Sequence, residues 1–106
     1  MWTVEPLNEV VEHELRRLPY DLNVRFESMM ELIEAEGPAS IGMPHTRPVE
    51  GKIWELRLRG RSGEGRVLYV TTRGQRVVLL HAFVKKTEKT PRRSIELAKR
   101  RMRDLK

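Results

Sequence analysis

The 106-residue chain has no cysteine, which removes disulfide staples, cysteine-bound zinc and thiol nucleophiles together and fits a reducing, cytoplasmic setting. Aspartate is nearly missing, found at Asp21 and Asp104, and the three histidines, His13, His45 and His81, are dispersed. A metal-dependent nuclease built on clustered carboxylates would find no ligands in the second half, so neither a metal site nor another cofactor is expected. Long apolar runs are lacking too. The longest, Val77 to Leu80, is far too short to cross a bilayer, and Met1 to Pro6 has neither the basic nor the apolar region of a signal peptide, so no membrane partner is expected. There is no P-loop, dinucleotide fingerprint or paired-histidine helix, and Gly60, Gly63 and Gly65 lie between two strand patterns and read as a hairpin. At this length the chain hides about two-thirds of its unfolded surface and makes one domain, residues 1–106.

What the chain does have is charge, divided by sign. Residues 1–50 hold four Lys/Arg against ten Asp/Glu, and residues 51–106 hold 17 against five, beneath a formal net charge of +6. Solubilising charge would be spread without regard to position, whereas this division suits one face that meets a polyanion. The density peaks between Val84 and Arg93, where an apolar strand runs out into a helix start, and nucleic acid is the first partner to consider.

The spacing predicts an α+β domain. Leu7, Val10, Val11, Leu15 and Leu18 define a helix over 6–18, opened by Pro6 and stopped by Pro19. Asp21 is the expected N-cap of a second helix whose Leu22, Phe26, Met29, Met30 and Ile33 share a face before Gly37-Pro38. Residues 37–51 read as a long loop, with His45, Thr46 and Arg47 as secondary candidates for function. From Trp54 the period becomes two: Trp54, Leu56 and Leu58 alternate with Glu55, Arg57 and Arg59. A second strand over Arg66 to Thr72 and a third over Val77 to Val84 complete a three-stranded antiparallel meander, with Trp2 to Val4 as a short edge strand. Thr90 is the expected N-cap of a terminal helix whose Ile95, Ala98, Met102 and Leu105 face inward.

Arg57, Arg59, Arg66, Lys85, Lys86 and Lys89 converge if the strands pair in order, and such a set suits a phosphodiester. Arginine gives paired, fixed donors to phosphate oxygens, and lysine a compact charge that can lose its proton when crowded by other cations. The helix start at Thr90-Pro91, with Arg92 and Arg93, adds positive potential at the same corner. RNA needs no metal for its cleavage, because the 2′-hydroxyl attacks the neighbouring phosphorus once a base takes its proton. A lysine or His81 could be that base, although a lone histidine inside an apolar strand is more often a hydrogen-bonded core residue. Tyr69, Phe83 and Trp54 are open between base stacking and core packing.

Trp54-Glu55-Leu56-Arg57, Arg66-Val67-Leu68-Tyr69, the run from Leu79 to Pro91 that contains Phe83-Val84-Lys85-Lys86-Thr87-Glu88-Lys89-Thr90-Pro91, and Ile95-Glu96-Leu97-Ala98 resemble the phage-derived, HigB-like branch of the RelE/ParE toxin superfamily. The resemblance implies a RelE-like arrangement of two helices, a meander and a final helix. It implies a toxin of a type II toxin–antitoxin pair, in most such members a metal-independent endoribonuclease (an mRNA interferase) acting on mRNA at the ribosome. Carried over by position, Arg57, Arg66 and Lys86 match the family's basic positions and Lys85 and Lys89 belong to the branch's own motif, so these five are the expected catalytic set; from the residues themselves, Arg59, His81, Thr90, Arg92 and Arg93 are the expected RNA contacts. The chain departs from relatives that end in a catalytic tyrosine or an Asp-Tyr-His sequence, since it ends in Arg103-Asp104-Leu105-Lys106. The antitoxin of this branch is a small helix-turn-helix, HigA-like protein, which could neutralise the basic surface by covering it. Two other readings stay open: a ParE-like gyrase-binding toxin without nuclease activity, and a nucleic-acid-binding module without catalysis.

Overall fold

A computed structural model describes residues 1–86 and 89–105. Thr87 and Glu88, inside the Phe83–Pro91 stretch, and the terminal Lys106 lie outside the described residues. The elements are β1 (Thr3–Pro6), α1 (Glu9–Arg16), α2 (Tyr20–Glu36), a 3-10 turn (Pro38–Ser40), β2 (Thr46–Glu50), β3 (Ile53–Gly60), β4 (Gly63–Thr72), β5 (Arg76–Lys85) and α3 (Arg92–Met102). They form an α+β fold around one mixed sheet of order β1-β5-β4-β3-β2. The expected meander β3-β4-β5 is its centre, flanked by β2 antiparallel to β3 and β1 parallel to β5.

The sheet is buried on both faces, as the unbroken run Val77-Val78-Leu79-Leu80 requires. On one face α1 and α2 set Val11, Leu15, Leu22, Phe26 and Ile33 against Leu56, Leu58, Val67 and Leu79. On the other, α3 sets Ala98 and Met102 against Ile53, Leu68, Val70 and Leu80. A register shift in β4–β5 pairs Leu68 with His81 but Tyr69 with Leu79, so Leu80 is the extra residue of a bulge.

Several boundaries differ from the sequence expectation, each for a local reason. Pro6 does not open α1. It ends β1, an edge strand that tolerates a residue without an N–H, and Asn8 caps the helix by accepting from the Val11 N–H at 3.1 Å. Asp21 does not cap α2, whose N-cap is Pro19. Its carboxylate instead accepts from the backbone N–H (2.9 Å) and hydroxyl (2.7 Å) of Ser62, tying α2 to the β3–β4 hairpin. The stretch expected as a loop contains β2, held where the buried Thr46 hydroxyl shares a 2.7 Å hydrogen bond with that of Tyr69. At the end of α2, Gly37 has φ +91°, and a Cβ there would lie 2.7 Å from Trp2 Nε1, so this turn needs both the conformation and the small size of glycine.

Candidate functional site

The register of β3, β4 and β5 builds a small grid. Its rows are Arg59, Glu64 and Lys85; then Arg57, Arg66 and Phe83; then Glu55, Leu68 and His81. Alternation places these side chains on the face that carries α3, next to the N-terminal end of that helix, while Leu56, Leu58 and Val67 point to the other. The grid thus collects Arg57, Arg59, Arg66 and Lys85 from three separate stretches of chain.

Arg66 is its centre and is wholly buried. Nη1 donates to Glu64 Oε1 at 2.8 Å, and Nε lies 3.4 Å from Glu55 Oε2, within ion-pair reach but without a hydrogen bond. Glu55, only 4% exposed, braces the site. It accepts from Arg57 Nε at 3.2 Å and from the Thr90 hydroxyl, joining β3 and β4 to the segment that leads into α3. Thr90 therefore does not cap α3, whose N-cap is Pro91. Glu64 faces three cations: Arg66, Lys85 Nζ at 3.8 Å and Arg59 Nη2 at 3.9 Å. The hydrogen bond from Arg66, with Lys85 and Arg59 adding to it, holds the Glu64 carboxyl below the usual carboxylate range. Beside the grid a cleft of about 250 Å³ is lined by Arg47, Glu55, Arg57, Lys89, Thr90 and Ile95. Arg47, a secondary candidate, is thus brought to the site, whereas Thr46 is committed to Tyr69.

The remaining candidates divide. Lys86 is exposed just beyond the end of β5, and Lys89 is exposed at the cleft beside the grid. Arg92 is drawn to carboxylates outside it, with Nη1 2.6 Å from Glu50 Oε1 and Nη2 2.6 Å from Glu96 Oε2. Glu50 is correspondingly held down to about 2 by hydrogen bonds from Arg92 and Lys99. Arg93 is exposed in the first turn of α3. His81 belongs to a structural junction: Nδ1 is 2.8 Å from Glu14 Oε1, Arg101 donates to both Glu14 oxygens, and the imidazole stacks on Phe83 with centroids 4.8 Å apart. Burial disfavours the charge on Glu14, but hydrogen bonds from His81, Arg101 and the Ala82 N–H outweigh it and hold the carboxyl down to about 2. The junction pins α1 and α3 to β5, so the histidine expected among the RNA contacts is occupied in holding the layers together.

Sequence reasoning missed Glu55 and Glu64. The signal was available for Glu55, which has the same parity as Arg57 and Arg59 and must share their face. Glu64 is legible only once β4 begins at Gly63 rather than Arg66, because it then stands two residues before Arg66 on the same face.

Two helices under a five-stranded sheet whose far face carries a basic cluster and a closing helix make the RelE-type toxin fold. A solved structure described as the archaeal RelE-RelB complex from Pyrococcus horikoshii OT3 superposes with a TM-score of 0.57 at 23% identity, over 76% of this chain and 91% of that one. The family model described as Phage derived protein Gp49-like (DUF891) matches residues 13–103, and the chain belongs to this RelE/HigB-type toxin family. No curated protein sequence matches it. Among the described residues no helix is long and apolar enough to cross a membrane.

Proposed function

We propose that this protein is the toxin of a type II toxin–antitoxin pair and an endoribonuclease that cuts mRNA at the ribosome. The observation that carries the reading is the convergence of Arg57, Arg59, Arg66 and Lys85 on one sheet face, beside a cleft lined by Arg47, Arg57 and Lys89. In the reaction the 2′-oxygen forms a bond to phosphorus and the bond to the 5′-oxygen breaks, leaving a 2′,3′-cyclic phosphate and a 5′-hydroxyl. The 2′-hydroxyl proton passes to a base, for which Lys85, Lys86 and Lys89 are the candidates, and the departing 5′-oxygen takes up a proton. Arg57 and Arg66 would face the charge that grows on the phosphoryl oxygens, where losing one preorganised donor costs about 10²- to 10³-fold in rate.

A gyrase-binding toxin without nuclease activity would need no such cluster, and a binding-only module would need no preorganised one. The cognate antitoxin is a small helix-turn-helix, HigA-like protein that covers the basic face, partly with acidic side chains. The test is RNA cleavage in a translation extract with the natural protein, Arg57→Ala and Lys86→Ala, each checked for folding by circular dichroism. Cleavage reduced about 100-fold or more in folded variants supports the enzyme. Undiminished cleavage in both would place the chemistry elsewhere, and no cleavage by the natural protein would remove it.

A further inference from the structure

The two carboxylates of the grid are not equivalent. The Glu55 side chain is 5% exposed and is gripped by Arg57, Arg66 and Thr90, so it cannot leave without dismantling the joint between β3, β4 and the α3 lead-in. The Glu64 side chain is 30% exposed, and of the cations it faces Arg66 is 1% and Lys85 8% exposed, while Arg59 at 71% is open to solvent. Glu64 also stands between Gly63 and Gly65, at the first positions of β4, so no side chain of an adjacent residue crowds it along the strand. An anionic two-oxygen group held by a guanidinium, an ammonium and a second guanidinium matches what a phosphodiester's non-bridging oxygens require.

We infer that the Glu64 carboxylate occupies a phosphodiester subsite formed by Arg66, Lys85 and Arg59, and that RNA binds there by displacing it. The inference rests on the RNA-cleavage reading and deepens it: the free protein holds its innermost phosphate-binding groups already neutralised, and substrate exchanges one anion for another. Removing a negative charge at this position therefore raises affinity through newly available cations, the reverse of what loss of a contact residue does.

The experiment measures binding of a single-stranded RNA made uncleavable by 2′-O-methylation to the natural protein, Glu64→Gln and Glu96→Gln. Glu96, on α3 and paired with Arg92, controls for net charge alone. Glu64→Gln is expected to bind on the order of tenfold tighter, with a log–log salt slope steeper by about 0.7 for each cation released, and Glu96→Gln to stay close to the natural protein. Unchanged or weaker binding by Glu64→Gln, or equal tightening by Glu96→Gln, would overturn the subsite. A second measurement needs no substitution: in the natural protein, side-chain nitrogen NMR resonances of Arg66 and Lys85 are expected to move when the same RNA is added, and resonances that stay fixed while RNA binds would overturn it as well. Natural protein that binds no RNA refutes both the cleavage reading and the subsite; RNA binding without the Glu64 effect refutes the subsite alone.

Discussion

Glu55→Ala should be among the most damaging single substitutions in this protein, although it deletes a charged residue from a strand of alternating pattern. The side chain is buried, and its removal leaves Arg66, fully enclosed, and Arg57, 18% exposed, facing each other across adjacent strands. Stripping one partner from a buried ion pair costs about 3–5 kcal/mol, because the remaining charge is neither solvated nor matched. Glu64 still holds Arg66 Nη1 and Arg57 can tilt toward solvent, so the lower half of that range, about 3–4 kcal/mol, is the expected loss. Against a total of about 5–15 kcal/mol for a domain of this size, that is a large share, and it lowers the melting temperature by roughly 12–30 °C. Glu55→Gln keeps the volume and an acceptor for Thr90 and should cost about half as much. Urea unfolding of the three proteins, at 0.05 M and 0.5 M salt, is the assay. The Glu55→Ala deficit should persist at high salt, since the pairs it breaks are shielded from solvent ions. A deficit below about 1 kcal/mol, or one that vanishes with salt, would refute the view of Glu55 as a buried brace.

Other consequences follow from the same contacts. Glu14 falls from an ordinary 4.5 to about 2 in the folded chain, so its stabilisation is fully present above pH 4.5 and drains away as pH drops through 2; urea midpoints at pH 5 and pH 3 should show Glu14→Gln losing less on acidification than the natural protein, by no more than about 3 kcal/mol. Gly37→Ala should destabilise by about 1–3 kcal/mol in thermal unfolding, since the new methyl meets the Trp2 ring at an unfavourable φ. Tyr69→Phe leaves the buried Thr46 hydroxyl without its partner and should cost about 1–3 kcal/mol by urea unfolding, with β2 and the loop before it losing amide-exchange protection first.

The fold was legible wherever period and length agreed. The change from helical spacing to alternation at Trp54, the unbroken run through Leu80 and the Ile95-Ala98-Met102 stripe each recorded one burial demand, and each element is present. What escaped was decided by partners distant in sequence. Asp21 has the chemistry of a helix cap and serves a hairpin 41 residues away, and Thr90 likewise serves Glu55, 35 residues away. β2 has Pro48 inside it and an exposed Arg47, so nothing local marks it as a strand; its pairing with β3 does. At the site, the cations announced themselves by number, but the carboxylates that set their geometry looked like ordinary surface glutamates. The resemblance gave no role to Glu55 and did not reach Glu64; alternation along β3 puts Glu55 on the face of Arg57 and Arg59, and the register across β3, β4 and β5 sets Glu64 among the cations.

The central claim is that the β3–β5 grid is where RNA phosphate meets this protein. Its most direct measurement is the map of backbone and side-chain NMR shifts on titration with the uncleavable RNA. The account requires the largest changes at Arg57, Arg59, Glu64, Arg66, Lys85 and Lys86, with little at Arg92, Lys99 and Glu50. Changes centred on Arg92 and the outer face of α3, with the grid silent, would contradict it.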